Sequence, residues 1–146
     1  MLQSKSGILM EIPIIDKSNY LKGLLITARK DNQLAESEKK IIKDISVRLG
    51  FASDFYEDVI KSLLNNKYIT DEPIKFSDKK IAESFVDDGL RLAFSDNKVS
   101  DNELNWLKAT AEANGIEKKW FEEKMNIHKS SPGLLMNSDF ALYSII

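Results

Sequence analysis

Ala93-Phe94-Ser95-Asp96-Asn97-Lys98-Val99-Ser100-Asp101-Asn102-Glu103 decides the fold reading, because it has an echo 65 residues earlier at Ala28–Glu38. Subtracting 65 places Ala93 on Ala28, Asp96 on Asp31, Asn97 on Asn32 and Glu103 on Glu38. Without a gap the match continues through Lys108 on Lys43, Gly115 on Gly50 and Glu122 on Glu57. Positions 28–57 and 93–122 share seven identities in 30, against roughly two at ordinary residue frequencies. One unit is used twice. Two copies make a pseudo-symmetric domain, whereas a solenoid needs about three repeats or more.

Outward from the two turns the periodicity is helical. Tyr20, Leu21, Leu24, Leu25 and Ala28 share a face between about Ser18 and Lys30. Leu34, Ile41, Ile42, Ile45 and Leu49 form the stripe of the next helix, which stops at Gly50. Ser53 caps a third helix, with Phe55, Tyr56, Val59, Ile60, Leu63 and Leu64 inward. A linker follows over 65–78, where Pro73 bars a continuous helix. Then the order repeats. Ser77 or Asp78 starts a helix with Ile81, Phe85, Gly89, Leu92 and Ala93 on one side. Ser100 and Glu103 fit a capping box ahead of Trp106, Leu107, Thr110 and Ala111. Gly115 ends that element, and a helix carrying Trp120, Phe121 and Met125 comes next.

The expected fold is all-α, a compact bundle of six to seven helices with an internal pseudo-two-fold repeat. Ile8, Met10, Ile12 and Ile14 alternate, so residues 1–16 read as an N-terminal extension in extended form. Residues 17–146 read as a single domain, with repeat units at about 18–65 and 78–128 and a C-terminal helix at about 134–145.

A chain of 146 residues is long enough for one core without staples. The absence of cysteine excludes disulfides, thiolate metal sites and cysteine nucleophiles. A net charge of −2 and a pI near 5.5 give no global attraction to nucleic acid. The pairs Lys39-Lys40, Lys79-Lys80 and Lys118-Lys119 read as solvated helix faces. The apolar run Gly7–Ile15 is broken by Glu11 and Pro13. It is too short to span a bilayer and a poor secretory signal, so a cytoplasmic chain with no direct membrane insertion is expected.

The acidic turns are the candidate site. Asp31 with Glu38, and Asp96 with Glu103, are hard oxygen ligands of the kind Mg²⁺, Ca²⁺ or Mn²⁺ prefers. An EF-hand register puts Leu92 and Phe94 where its first two carboxylates belong, so any cation site draws on other groups, such as Asp87 and Asp88. The competing reading is that these residues shape the turn and cap the helix. It is the stronger reading for Glu103, whereas Ala35 stands where Ser100 does and leaves Glu38 less explained. His128, the one histidine, reads as a surface residue near a helix end. Phosphate-binding loops, dinucleotide fingerprints and His-Glu-x-x-His motifs are absent.

At the two turns the sequence resembles the tellurite-resistance TerB-like family, which includes the N-terminal domain of a DnaJ-like membrane co-chaperone. The family pattern is Ala-x-x-Asp-Gly-x-Ile/Val-x-x-x-Glu followed by Leu-Gly. Here it reads Ala28-Arg29-Lys30-Asp31-Asn32-Gln33-Leu34-Ala35-Glu36-Ser37-Glu38 with Leu49-Gly50, and Ala93 to Glu103 with Asn114-Gly115. Asn32 and Asn97 replace the family glycine. The resemblance implies a pseudo-symmetric helical domain. It further implies a divalent cation held by Asp31, Glu38, Asp96 and Glu103, and a role as an interaction module in membrane-associated stress-response complexes. The expected function is therefore a non-catalytic module with a protein partner. The alternative is a metal-dependent hydrolase that uses those four carboxylates as a cluster.

Overall fold

The computed structural model describes residues 11–29, 36–51, 57–58, 61, 72–95, 99–130 and 140–145. They contain the helices α1 (Ile14–Arg29), α2 (Glu36–Arg48), α3 (Lys79–Ala93), α4 (Asp101–Ala113) and α5 (Lys118–Lys129), and a 3₁₀ turn at Ala141–Ser144. Among the described residues there is no strand, and no helix is long and apolar enough to cross a membrane. The described residues are all-helical, with five α-helices against the six to seven expected. The expected third helix falls largely outside the described residues. Within it Glu57, Asp58 and Lys61 are helical and exposed, and none of them belongs to the apolar stripe.

Helix α3 is the hub. It packs against α1, α4, α5 and the 3₁₀ turn. Ten of its 15 residues are buried, so it is enclosed on nearly every side, as a central helix of a bundle must be. Its remaining polar edge runs Glu83, Asp87, Arg91, one residue per turn. Asp78 caps the helix by accepting from the Lys80 N–H at 2.7 Å.

Helix α1 lies against α3 because Gly23 removes a side chain at the crossing. A Cβ there would collide with the Phe85 ring. Phe85 sits at the centre of an aromatic cluster with Tyr20, Phe76 and Trp106, at centroid distances of 5.4, 5.2 and 6.0 Å. Of the inward faces expected on α2 and α4, Leu34 lies outside the described residues; Ile41, Ile42, Ile45 and Leu49 on one and Trp106, Leu107, Thr110 and Ala111 on the other are buried.

The ends of α2 and α4 match in detail. Adding 65 to 36 and 48 gives 101 and 113, the bounds of α4. Gly50 and Gly115 follow them with φ of 98° and 73°. The Phe51 N–H donates to Ser46 O at 3.1 Å and the Ile116 N–H to Ala111 O at 3.0 Å. The Gly50 and Gly115 N–H groups reach Val47 O and Glu112 O at 2.9 and 3.1 Å. This double bond pattern closes a helix only when the residue after it is left-handed, which glycine adopts at no steric cost.

Two readings need correction. Helix α1 starts at Ile14, not near Ser18. Pro13 stands just ahead of it, and its carbonyl accepts from the Lys17 N–H at 3.0 Å. Proline suits this place because its ring presets a helical φ and the missing N–H would have had no intrahelical partner. Ile12 is buried, whereas Ile14 and Ile15 are 77% and 65% exposed, so the alternation breaks at Pro13. Of the C-terminal helix expected at about 134–145, residues 134–139 lie outside the described residues, and Ala141–Ser144 form a 3₁₀ turn. It does cover core, since Phe140 and Leu142 are buried.

The 72–78 connection is pinned from α1 and from the residue that follows α4. Asn114 donates through Nδ2 to Ile74 O at 2.7 Å, and its Oδ1 accepts from the Phe76 N–H at 2.8 Å. Buried Asp16 accepts from the Ser77 N–H at 3.0 Å and from the Ser77 hydroxyl.

Candidate functional site

Of the four predicted ligands, Asp31 and Asp96 lie outside the described residues. Glu38 and Glu103 both stand in first helical turns and are buried. Glu103 completes the capping box: its Oε1 accepts from the Ser100 N–H at 3.2 Å, while Ser100 Oγ accepts from the Glu103 N–H at 3.1 Å. The helix-capping reading of Glu103 is thus met. Among the described residues no group of three or more His, Asp or Glu side chains is arranged to hold a metal ion.

The densest polar chemistry lies elsewhere, around two adjacent aspartates of α3. Helical geometry turns successive side chains by about 100°, so Asp87 and Asp88 face different neighbours. Asp88 is fully buried. Its Oδ1 accepts from the Ala141 N–H at 2.5 Å, and its Oδ2 accepts from the Leu142 N–H at 3.1 Å and from the Tyr20 hydroxyl. Tyr20 Oη also lies 2.9 Å from Ser84 Oγ. The first N–H groups of a helical turn have no partner of their own, and Asp88 supplies one for the tail. Burial pushes the Asp88 carboxyl up to about 7, with Tyr20 and the two tail amides pulling the other way. Burial, reinforced by the Asp88 charge, raises Tyr20 well above its ordinary value.

Asp87 faces α5. Its Oδ1 is 2.5 Å from His128 Nε2, and its Oδ2 is 3.5 Å from Lys124 Nζ. Burial would raise its carboxyl, but the His128 hydrogen bond and the Lys124 charge outweigh that and hold it below the usual range. His128 is therefore no surface residue: it is buried, and together with Lys124 it fastens α5 to α3. An Asp–His pair can serve acid–base chemistry when a nucleophile is in reach. On the same helix the Ser84 hydroxyl is hydrogen-bonded to Tyr20.

The tail is also gripped by two guanidiniums. Arg91 of α3 lies over the Phe140 ring at 5.8 Å, and Arg48 of α2 over the Tyr143 ring at 5.4 Å. Beside it an open groove of about 390 Å³ is lined by Asp44, Val47, Arg48 and Tyr143. Burial and the neighbouring Asp44 raise the Tyr143 hydroxyl.

One sequence signal for this cluster exists. Asp88 falls on the inner stripe Ile81, Phe85, Gly89, Leu92, where a carboxylate is rare unless paired. Comparison with protein-family models, with curated proteins and with solved structures finds no match.

Proposed function

We propose that this chain is a non-catalytic helical interaction module of TerB-like type, a pseudo-two-fold domain serving a protein partner in a cytoplasmic or membrane-associated stress-response complex. The observation that carries the reading is the use of its strongest polar groups as fasteners. Asp88 and Tyr20 hold the tail, Asp87 and His128 tie α5 to α3, Asp16 holds Ser77, and Glu103 caps α4. Each of these contacts joins elements or closes a helix end. The matched glycine ends of α2 and α4 support the repeat half of the reading.

A divalent cation at the acidic turns is the second part of the proposal. The first turn, with Asp31 and Glu38, is the better candidate because Ala35 offers no hydroxyl for a capping box, whereas Ser100 engages Glu103. That same engagement weighs against the hydrolase alternative, which needs Glu103 and Glu38 in one metal cluster.

Two measurements test the module. Purified protein with Mg²⁺, Mn²⁺, Ca²⁺ or Zn²⁺ is expected to turn over no phosphoester, peptide or glycoside substrate. Affinity capture is expected to yield a partner whose binding is reproduced with both components pure. Metal-dependent turnover that Glu38→Gln abolishes would overturn the module in favour of the hydrolase.

A further inference from the structure

We infer that Asn114 is a site of spontaneous covalent modification, at which attack by the Gly115 nitrogen expels the side-chain amide as ammonia and frees the 72–78 connection from the end of α4. Asn114-Gly115 is the one Asn-Gly pair in the sequence. A glycine after asparagine leaves the attacking nitrogen without a Cβ to screen it, so such a pair closes to a succinimide readily. In that step the Gly115 nitrogen gives up its proton to base and bonds to Asn114 Cγ. The Cγ–Nδ2 bond breaks, and Nδ2 takes up a proton and leaves as ammonia. Water then adds at either ring carbonyl and opens the ring to aspartate or isoaspartate, and the Gly115 nitrogen regains its hydrogen. Water enters, ammonia leaves, and nothing is oxidised.

The native structure holds both reacting groups in other bonds. The Gly115 N–H donates to Glu112 O at 3.1 Å. Asn114 Nδ2 donates to Ile74 O at 2.7 Å and to Thr110 O at 2.8 Å, while Oδ1 accepts from the Phe76 N–H at 2.8 Å. Both amide hydrogens and the amide oxygen are thus engaged. Sterics add no guard: Gly115 is exposed, and a Cβ on it would meet nothing within 4 Å among the described residues. Hydrogen bonds alone hold the step back, so ring closure waits for the pin on 72–78 to open.

The product does not rebuild the pin. A carboxylate has no hydrogen to donate, so an oxygen takes the place of Nδ2 and faces the Ile74 and Thr110 carbonyls, acceptor against acceptor. Isoaspartate also lengthens the main chain between α4 and the closing glycine. Ile74 and Phe76 are buried, and the Phe76 ring packs on Phe85 and Tyr20 at centroid distances of 5.2 and 6.1 Å. Freeing the connection therefore loosens the aromatic cluster between α1 and α3. Release is one-way, because the ammonia is gone. The other closing glycine carries no such site: Gly50 follows buried Leu49, which has no amide.

The test incubates the full chain at mildly alkaline pH, folded and in urea, and follows aspartate and isoaspartate at position 114 by peptide mapping. Modification of the folded chain is expected to be at least about tenfold slower than in urea, since only the opened fraction reacts. Ser77→Ala removes a hydroxyl that Asp16 engages at the other end of the connection and leaves Asn114 untouched. It is expected to speed modification of the folded chain about threefold or more, the open fraction rising as a fastener is lost. Modified chains, separated by their added negative charge, are expected to lose most hydrogen-exchange protection at the Phe76 amide, and Asn114→Asp is expected to do the same. A folded chain modified as fast as the chain in urea, or a Ser77→Ala rate equal to the native one, would overturn control by the pin. Modified chains that keep native protection at Phe76 would overturn the release.

Discussion

Tyr20 and Phe85 stand 65 positions apart (85 − 20 = 65), and their rings meet edge to face with centroids 5.4 Å apart and planes at 84°. The offset equals that of the sequence repeat, and the proposed two-fold would make the two rings counterparts meeting beside its axis. The two side chains differ by one hydroxyl, and that hydroxyl donates to Asp88.

Removing that hydroxyl tests its worth. Tyr20→Phe is expected to cost about 1.5–3 kcal/mol, the range for a hydrogen bond to a charged group. The loss should be larger at pH 8, where Asp88 is mostly ionised, than at pH 5. Urea unfolding at both pH values measures it. Equal stability of variant and native chain at pH 8 would mean that Asp88 does not depend on Tyr20.

Asp87 and Asp88 should imprint opposite pH dependences. The folded Asp88 carboxyl is raised to about 7, so its contribution is full below the unfolded value of about 4. That contribution is lost as pH rises toward and through 7, at a slope of up to about 1.4 kcal/mol per pH unit. Asp87 is lowered, so its contribution is present above the unfolded value and disappears as pH falls below it. Between pH 5 and 7 the Asp88 slope dominates, and stability is expected to fall with rising pH. Asp88→Asn, which imitates the neutral carboxyl, should flatten that slope. A native chain that gains stability across this window would contradict the assignment.

The helical faces are legible in the sequence because burial on one side imposes a 3.6-residue period, and residues such as Ile42, Ile45 and Leu107 keep it. The closing glycines are legible for a related reason: a left-handed residue after a helix narrows the choice to glycine or asparagine. Contacts that join distant elements are not written in any period. The Asp88–Ala141 bond spans 53 positions, and the Asp87–His128 bond spans 41. His128 reads as a surface residue because it stands near a helix end, and only the packing of α5 on α3 turns it inward. Asp88 does interrupt an apolar stripe, but that interruption alone names neither Tyr20 nor the tail.

Two kinds of glycine should respond differently to alanine. Gly115→Ala meets open space but must hold φ near 73°, and a left-handed residue with a Cβ costs about 1 kcal/mol. Gly115→Asn should recover part of this, since asparagine tolerates the conformation. Gly23→Ala keeps an ordinary helical backbone but drives a methyl into the Phe85 ring, which Tyr20, Phe76 and Trp106 hold in place. Overpacking of this kind costs about 1–3 kcal/mol, and here asparagine should be worse than alanine. Thermal or urea melts of the four variants separate the cases. A Gly23→Asn chain as stable as Gly23→Ala would show that the crossing is looser than the geometry indicates.

The cation proposal makes an asymmetric prediction for the two acidic turns. Glu103 is engaged by the Ser100 backbone and hydroxyl, so a cation at the second turn would have to break a capping box worth about 1 kcal/mol. At the first turn Ala35 provides no such hydroxyl. Titration of the metal-free protein with Mg²⁺, Ca²⁺ or Mn²⁺, followed by amide NMR, is therefore expected to give saturable shifts near Glu38 at lower concentration than near Glu103. Asp31→Asn and Glu38→Gln should each abolish the first set. Ser100→Ala removes the hydroxyl from that capping box and should lower the concentration at which the second turn responds. Shifts that begin at Glu103, or that survive both first-turn substitutions, would put the cation elsewhere. No saturable shift at millimolar metal would leave Asp31, Glu38, Asp96 and Glu103 as turn and capping residues alone.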